Sequence, residues 1–423
     1  MNAKEVLEEV LQEIKPDEKE IKEIEEYIKD FTKKFNSQTK KLKINAESFV
    51  GGSFAKKTVI KKDSYDVDIF VRFDKLYKDE EISGLTEKIL KGFVKKFEKI
   101  HGSRDYFKIN ISDKFYIELI PVIKIKNPKE ARNITDLSYF HVNYMKKKKK
   151  NLLDDIRLVK AFCYANRCYG AESYIMGFSG YSLELLTYHF GGFLNFLKAV
   201  AKSSGRIFVD MEKHYKSKKI ISMDLNSAKL KSPIILIDPT FRQRNAAAAL
   251  SQETFDILRD AAQKFLKNPN KKAFEKERYD IEGIRKNAQK NKSDFVHIIA
   301  ETDKQEGDIA GSKLLKFYRH ISNETEGNFI IKKRIFSYND KKSAEYVFSG
   351  KSRNELTIEG PPLSNESAVK KFKSVHRSTF TKNKRIFARE KIKKNMKEFI
   401  EEWIKKNSRK IKEMSITKIE IID

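Results

Sequence analysis

The pattern of apolar and polar positions changes character along the chain. Leu7, Val10, Leu11 and Ile14 recur at helical spacing until Pro16 interrupts them, so residues 1–35 read as one or two helices. Residues 44–50 read as a strand or the approach to a turn. Gly51-Gly52-Ser53 then opens a short segment ending at Ile60. Residues 66–73, DVDIFVRF, are mostly β-branched and aromatic and predict a strand. Residues 82–101 keep an amphipathic helical period and predict one long helix. Residues 107–111 and 115–125 predict two strands around a Ser-Asp-Lys turn. Together these elements make an α/β unit.

Beyond residue 150 the period turns helical. Ile156, Val159, Phe162 and Cys163 share one face, followed by apolar helical runs at 181–189, 192–201 and 246–266. A third pattern starts near Ser293: strand 295–300, helix 311–321, and strands 329–338 and 344–349. That β-α-β-β order predicts a small sheet with helices on one face, in the order of an RRM or ferredoxin-like fold, without a clear RNP1 signature. Lys371, Phe372, Lys373, His376, Arg377, Phe380, Lys382, Lys384, Arg385 and Phe387 interleave bases with aromatics, and 395–411 predicts a final basic helix. The expected fold class is α+β multidomain: a head at 1–150 with a mixed sheet and helices, a helical neck at 151–270, and a body with a basic tail at 271–423.

Composition narrows the class of partner. Lys plus Arg is 88 against 60 Asp plus Glu, a formal net charge of +28, which favours a polyanion without choosing nucleic acid over anionic lipid. With 39% apolar residues and 30 Phe among 423, packed cores are affordable and wholesale disorder is excluded. Two cysteines, Cys163 and Cys168, make no disulfide framework and lack a zinc spacing; they indicate buried thiols and a reducing, cytoplasmic setting. The uncharged stretch 185–197 is too short to span a bilayer, so no membrane partner is expected. The lysine run 146–150 reads equally as a solvated linker or a phosphate contact.

The chemistry concentrates between Gly51 and Arg72, GGSFAKKTVIKKDSYDVDIFVR. Asp66 and Asp68 share a strand face, where two carboxylates repel unless a cation lies between them. Hard oxygen donors suit Mg²⁺ or Mn²⁺. Gly52-Ser53 leaves room for a phosphate at the backbone, and Lys56 reaches a phosphate oxygen from one turn on. Glu118, set among apolar neighbours in FYIELIPVIKI, is costly to bury unless paired or metal-bound, and completes a candidate trio.

These residues resemble the polymerase-β-type nucleotidyltransferase signature, Gly-Ser followed by Asp-x-Asp. The longer segments GGSFAKKT…DVDIF, IELIPVIKI, ARNITDLSYFHVNYM, DDIRLVKAFCYANRCYGAESYIMGFSGYSLELLTYHFGGF, LIDPTFRQRNAAAALS and EGPPLSNESAVKKFK are similar, in order and spacing, to archaeal class I CCA-adding enzymes. The resemblance implies template-independent addition of C, C and A to the 3′ end of tRNA from CTP and ATP, with pyrophosphate released. It implies Asp66, Asp68 and Glu118 as holders of catalytic metals, and Ser53 and Lys56, beside Gly52, on the triphosphate. It further implies His141, Lys160 and Tyr169 on phosphates and sugar, Arg244 facing the base with Asp238 nearby, and a grip on the acceptor and TΨC arm of tRNA. Two positions depart from the family pattern. Glu118 stands where Asp is usual, one methylene or about 1.5 Å longer, and Lys56 stands where Arg is usual, a point charge in place of a fork.

Taken singly, His141 reads as a structural histidine, Lys160 as a snorkelling lysine and Tyr169 as core packing. The residues leave two alternatives open: another transferase on the same head, such as a poly(A) polymerase or oligoadenylate synthetase, or an inactive tRNA-binding relative. A homodimer also stays open.

Overall fold

The computed structural model describes residues 2–422, except 149, 277, 278, 340, 354, 392 and 393. The chain forms two compact units, residues 1–277 and 278–423. In the first, α1 (Ala3–Ile14) is capped by Asn2 and ends where Lys15 turns extended before Pro16. α2 (Glu18–Lys41), capped by Asp17, runs further than the expected end near residue 35. β1 (Ala46–Val50), α3 (Gly52–Lys56), β2 (Tyr65–Phe73), α4 (Asp79–Leu90), β3 (Glu98–Ile100), β4 (Tyr106–Ser112) and β5 (Phe115–Ile123) follow.

The five strands make one mixed sheet, ordered β1-β2-β5-β4-β3. Only β2 and β5 pair in parallel. Tyr65, Val67, Ile69, Val71, Ile117 and Leu119 fill one side of it, against Ile24, Ile28, Phe31 and Phe35 of α2 and Ile82 and Ile89 of α4. The strand period of two therefore turns Asp66, Asp68 and Glu118 to the opposite face.

The long helix expected over 82–101 is not one element. α4 stops at Leu90, and residues 98–100 are a strand. Gly92 lies at the break, where a Cβ would stand 1.9 Å from the Gln38 amide of α2 and that side chain would have to shift. Phe93 and Phe97, which suggested a continuing helix face, instead pack on Phe31 and Phe107 at ring distances of 5.3 and 5.8 Å.

The rest of this unit is mainly helical: α5 (Ser138–Lys147), α6 (Leu153–Ala165), α7 (Gly180–Phe190), α8 (Phe193–Lys202), α9 (Lys218–Asp224) and α10 (Gln252–Lys267). It also contains a three-stranded sheet, β6-β7-β8, from β6 (Ile207–Val209), β7 (Ile234–Asp238) and β8 (Phe241–Asn245), which the helical expectation missed. The helix read over 246–266 starts only at Gln252, where Ser251 caps it. The alanines before it form a turn, because the Asn245 side chain accepts the Leu236 and Ala247 amides and the Ala246 amide bonds the Leu236 carbonyl.

A second core joins α6, α7, α8 and α10, centred on Phe162, Phe193 and Phe265, with Cys163 and Cys168 buried as free thiols. Val6, Leu7 and Val10 of α1 belong to this core, whereas α2 belongs to the sheet's. Lys15 pairs with Asp154 at 2.7 Å, and Lys271 with Glu13 at 2.5 Å.

The second unit contains α11 (Ile281–Lys290), β9 (Asp294–Glu301), α12 (Asp308–Asn328), β10 (Phe329–Tyr338), β11 (Ser343–Ser352), β12 (Glu355–Pro362), α13 (Glu366–Val375), β13 (Thr379–Lys382), β14 (Arg385–Lys391), α14 (Met396–Lys406), α15 (Ser408–Glu413) and β15 (Lys418–Ile422). The strands form an antiparallel sheet ordered β10-β11-β9-β15 and a smaller one ordered β12-β14-β13. The expected β-α-β-β run is β9-α12-β10-β11. Residues 396–422 do not trail as a tail. They return to the larger sheet, where β15 pairs with β9. Among the described residues no helix is long and apolar enough to cross a membrane.

Candidate active site

The site is built on the parallel pair β2 and β5. Their register sets Asp68 opposite Glu118 and Asp66 opposite Tyr116, so the three carboxylates share a face on neighbouring strands. Burial and the adjacent Asp66 carboxylate push the Asp68 carboxyl up to about 6. Burial, then Asp68 and Asp66, push Glu118 up to about 7. Asp66 itself takes the Lys62 ammonium at 2.7 Å.

No three His, Cys, Asp or Glu side chains among the described residues converge as a ready-made metal cluster. The donor set nevertheless fits a divalent cation. It consists of hard oxygens on one sheet face, two of them held above their usual carboxylate range by burial and by the neighbouring carboxylates, which a bound cation would offset.

Gly51-Gly52-Ser53 presses against this face. Gly52 has φ +58°, and a Cβ there would lie 1.7 Å from Asp68 Oδ2. At Gly51 a Cβ would lie 2.2 Å from the Phe70 ring. Only glycines let the backbone come this close to the carboxylates. Ser53 follows on α3, and its carbonyl accepts the Thr58 amide at 3.0 Å.

The loop after α3 is clamped by α6 and α7. Arg157 donates to the Val59 and Lys57 carbonyls at 3.0 and 2.8 Å. Lys160 Nζ lies 2.8 Å from Thr58 Oγ1 and 2.7 Å from Glu184 Oε1. Lys56 Nζ lies 2.6 Å from Glu184 Oε2, and the Thr58 hydroxyl donates to Glu184 Oε1 at 2.9 Å. Burial alone would raise the Glu184 carboxyl, but Lys160 and Lys56 hold it down at about 2. Burial lowers the Lys160 ammonium, against the pull of Glu184. Tyr169 stands alongside, for a Cβ at Gly180 would meet its hydroxyl at 2.9 Å. Burial and Glu184 raise that hydroxyl above the ordinary tyrosine range.

A second cluster lies beside the first. His141 Nε2 is 2.9 Å from Asp238 Oδ2, and its ring stacks on Tyr181 with centroids 4.1 Å apart. Arg244 donates to the same oxygen at 2.7 Å. Asp238 Oδ1 accepts from Tyr181 at 3.2 Å and from the Thr240 amide and hydroxyl at 2.8 Å each. Although burial would raise it, Asp238 stays far below the usual range because His141 and Arg244 hold it. Burial in turn lowers His141, against Asp238. Lys56 links the clusters, its ammonium 5.9 Å from the Tyr181 ring centroid.

The structure thus gathers Gly52, Lys56, Asp66, Asp68, Glu118, Lys160 and Tyr169 in one group and His141, Asp238 and Arg244 in another. Sequence reasoning missed Glu184, Thr58 and Tyr181. Glu184 carried the signal used for Glu118, an acid inside an apolar run, GYSLELL.

A glycine-backed carboxylate trio on a parallel strand pair, beside buried lysines, defines the class as a nucleotidyltransferase. Residues 154–275 match the family model described as tRNA nucleotidyltransferase, second domain. Residues 1–140 match the Second Messenger Oligonucleotide or Dinucleotide Synthetase domain. The CCA-adding enzyme of Nanoarchaeum equitans is 37% identical over 318 residues, covering 74% of this chain and 76% of that one. The CCA-adding enzyme of Methanocaldococcus jannaschii is 26% identical over 401 residues, covering 92% and 87%. A crystal structure of the Cid1 poly(U) polymerase shares the fold at a TM-score of 0.50 and 14% identity, covering 64% of this chain and 98% of that one. The chain belongs to the family of CCA-adding enzymes.

Proposed function

We propose that the protein adds C, C and A to the 3′ end of tRNA without a nucleic-acid template, from CTP and ATP. The observation that carries this reading is the register of Asp68 against Glu118 on the parallel pair, with Asp66 alongside and Lys56 and Lys160 held together nearby. In the transfer, the terminal 3′-hydroxyl gives up its proton to a site carboxylate or to water, its oxygen bonds to the α-phosphorus, the bond from that phosphorus to the bridging oxygen breaks, and pyrophosphate leaves. Asp66, Asp68 and Glu118 would hold Mg²⁺, or Mn²⁺, which supplies charge neutralisation and a more acidic 3′-hydroxyl when bound. Lys56 and Lys160 bring positive charge to the triphosphate, and Gly52 and Ser53 leave its oxygens room. His141 and Tyr169 border the sugar and phosphates. Asp238 holds Arg244 by one nitrogen, which fixes the guanidinium for the base.

We assign residues 1–150 to a catalytic head, 151–270 to a nucleotide-binding neck and 271–423 to a tRNA-binding body, in a cytoplasmic enzyme. The β9-α12-β10-β11-α14-β15 connectivity supports an RRM or ferredoxin-like body, with β12 to β14 as an insertion. That insertion offers a surface for the acceptor and TΨC arm. Phe380 and Phe387 pair across β13 and β14 with rings stacked 5.5 Å apart, and the Arg389 guanidinium lies 5.0 Å from the Phe380 centroid. Ile386 and Ala388, on the other side of β14, are buried. Stacked aromatics among bases suit unpaired nucleotides and a phosphate backbone.

The test is extension of a tRNA transcript lacking its terminal CCA. Growth by two nucleotides with CTP, by three with CTP and ATP, and none in an Asp66→Ala, Asp68→Ala double variant is expected. Long tails from ATP alone would instead make it a poly(A) polymerase.

A further inference from the structure

Glu184 has no part in the reading above, yet it is a fully enclosed charged group beside the site. Its side chain is 0% exposed, with Lys56 on one oxygen and Lys160 and Thr58 on the other. The two lysines arrive from different elements, Lys56 from α3 and Lys160 from α6. Two ammonium groups this close repel in a setting that water barely screens, so without an anion between them one would lose its proton or swing away. One carboxylate between two ammoniums leaves a net positive charge. Asp68 lies within Coulomb range of both lysines, so that charge acts on the face where the carboxylates lie.

We propose that Glu184 is a positioning residue of the nucleotide site: it keeps Lys56 and Lys160 charged and side by side, so that both are in place when a triphosphate arrives. It does so from behind, through the lysines, and touches no substrate. The proposal rests on the reading of the site as a nucleotidyl-transfer centre. The charged and titratable groups that act on the lysine pair are Glu184 of α7, Lys62 of the loop before β2, Asp68 of β2 and His141 of α5. Tyr169 lies within the field of Glu184. Of these, Glu184 alone touches both lysines.

The experiment measures kcat and KM for CTP on CCA-lacking tRNA, from about pH 6 to about pH 9.5, for the wild type, Glu184→Gln, Glu184→Asp and Thr187→Val. Thermal unfolding of each protein accompanies the kinetics. Glu184→Gln should raise KM for CTP by about tenfold or more, the worth of hydrogen bonds to charged groups. Its kcat/KM should also fall on the alkaline side, where the wild type holds, because a buried lysine without its counter-charge deprotonates there. Thr187→Val removes a buried hydrogen bond within α7, to the Leu183 carbonyl at 2.7 Å, and touches neither lysine; it should lower the unfolding temperature without moving KM.

A folded Glu184→Gln with the wild-type KM and pH profile would overturn the proposal. If that variant does not fold, Glu184→Asp decides. Shortened by a methylene, it cannot reach both lysines, and its KM should rise about threefold with the pH profile unchanged; an unchanged KM would overturn the proposal. A wild type that fails to extend tRNA would refute the transfer reading itself, which keeps the two failures distinct.

Discussion

The carboxylate face is arranged against the stability of the metal-free protein. Burial and the Asp66 carboxylate push the Asp68 carboxyl from its ordinary value of 3.8 up to about 6 in the fold. A raised carboxyl means that the folded state binds more protons than the unfolded one between those values, so its contribution to stability falls as the pH rises through them. The sign gives a direct expectation. In a chelating buffer at about pH 8, well above the folded value, Asp68→Asn should unfold at a higher temperature than the wild type, while tRNA extension is lost. The gap should close as the pH approaches about 4. A wild type that is the more stable protein at the higher pH would mean that Asp68 is not held under strain. Gly52 fits the same picture, since its missing side chain is what lets the backbone meet that carboxylate.

Among elements, the surface proposed on β13 and β14 can be tested apart from the nucleotide site. Replacing Phe380 and Phe387 with alanine should weaken tRNA binding about tenfold, by the worth of roughly one base stack. KM for CTP should stay unchanged, because the nucleotide residues lie in the other unit. A filter-binding titration beside the extension assay distinguishes the two, and equal loss in both would mean that the variant is misfolded.

The same comparison of elements shows what sequence could reveal. β2 and β5 were legible because a strand with one buried face writes that face every second residue, and the acids at 66, 68 and 118 fall on the alternate positions. α4 was overextended because its apolar period continues into the loop, while the glycine at the break lies against Gln38, 54 positions earlier by residue number. The β6-β7-β8 sheet was missed because IILID in β7 is buried throughout and shows no alternation. Tyr181 was missed for a related reason: its partners, Asp238 and His141, come from other elements, and a helix face does not reveal what will pack on it.

At the scale of the molecule, the excess of 28 cations makes binding to RNA a salt-sensitive event. If about six phosphates are contacted, tRNA affinity should drop by about 10³ between roughly 50 and 200 mM salt. A flat response would place recognition in stacking and shape instead.

The two cores of the first unit are also not successive in the chain. α2 closes on the sheet, whereas α1 packs with α6 and with the segment around Lys271, whose pair with Glu13 spans 258 positions. During synthesis, α2 has its partners once β5 has emerged. α1 must wait for α6, whose last residue is 165 against 123 for β5, and then for the segment around Lys271, about 150 residues beyond β5 and many seconds later at about 5–20 residues per second. Val6, Leu7 and Val10 of α1 thus stay without their core partners for longer than the apolar face of α2 does.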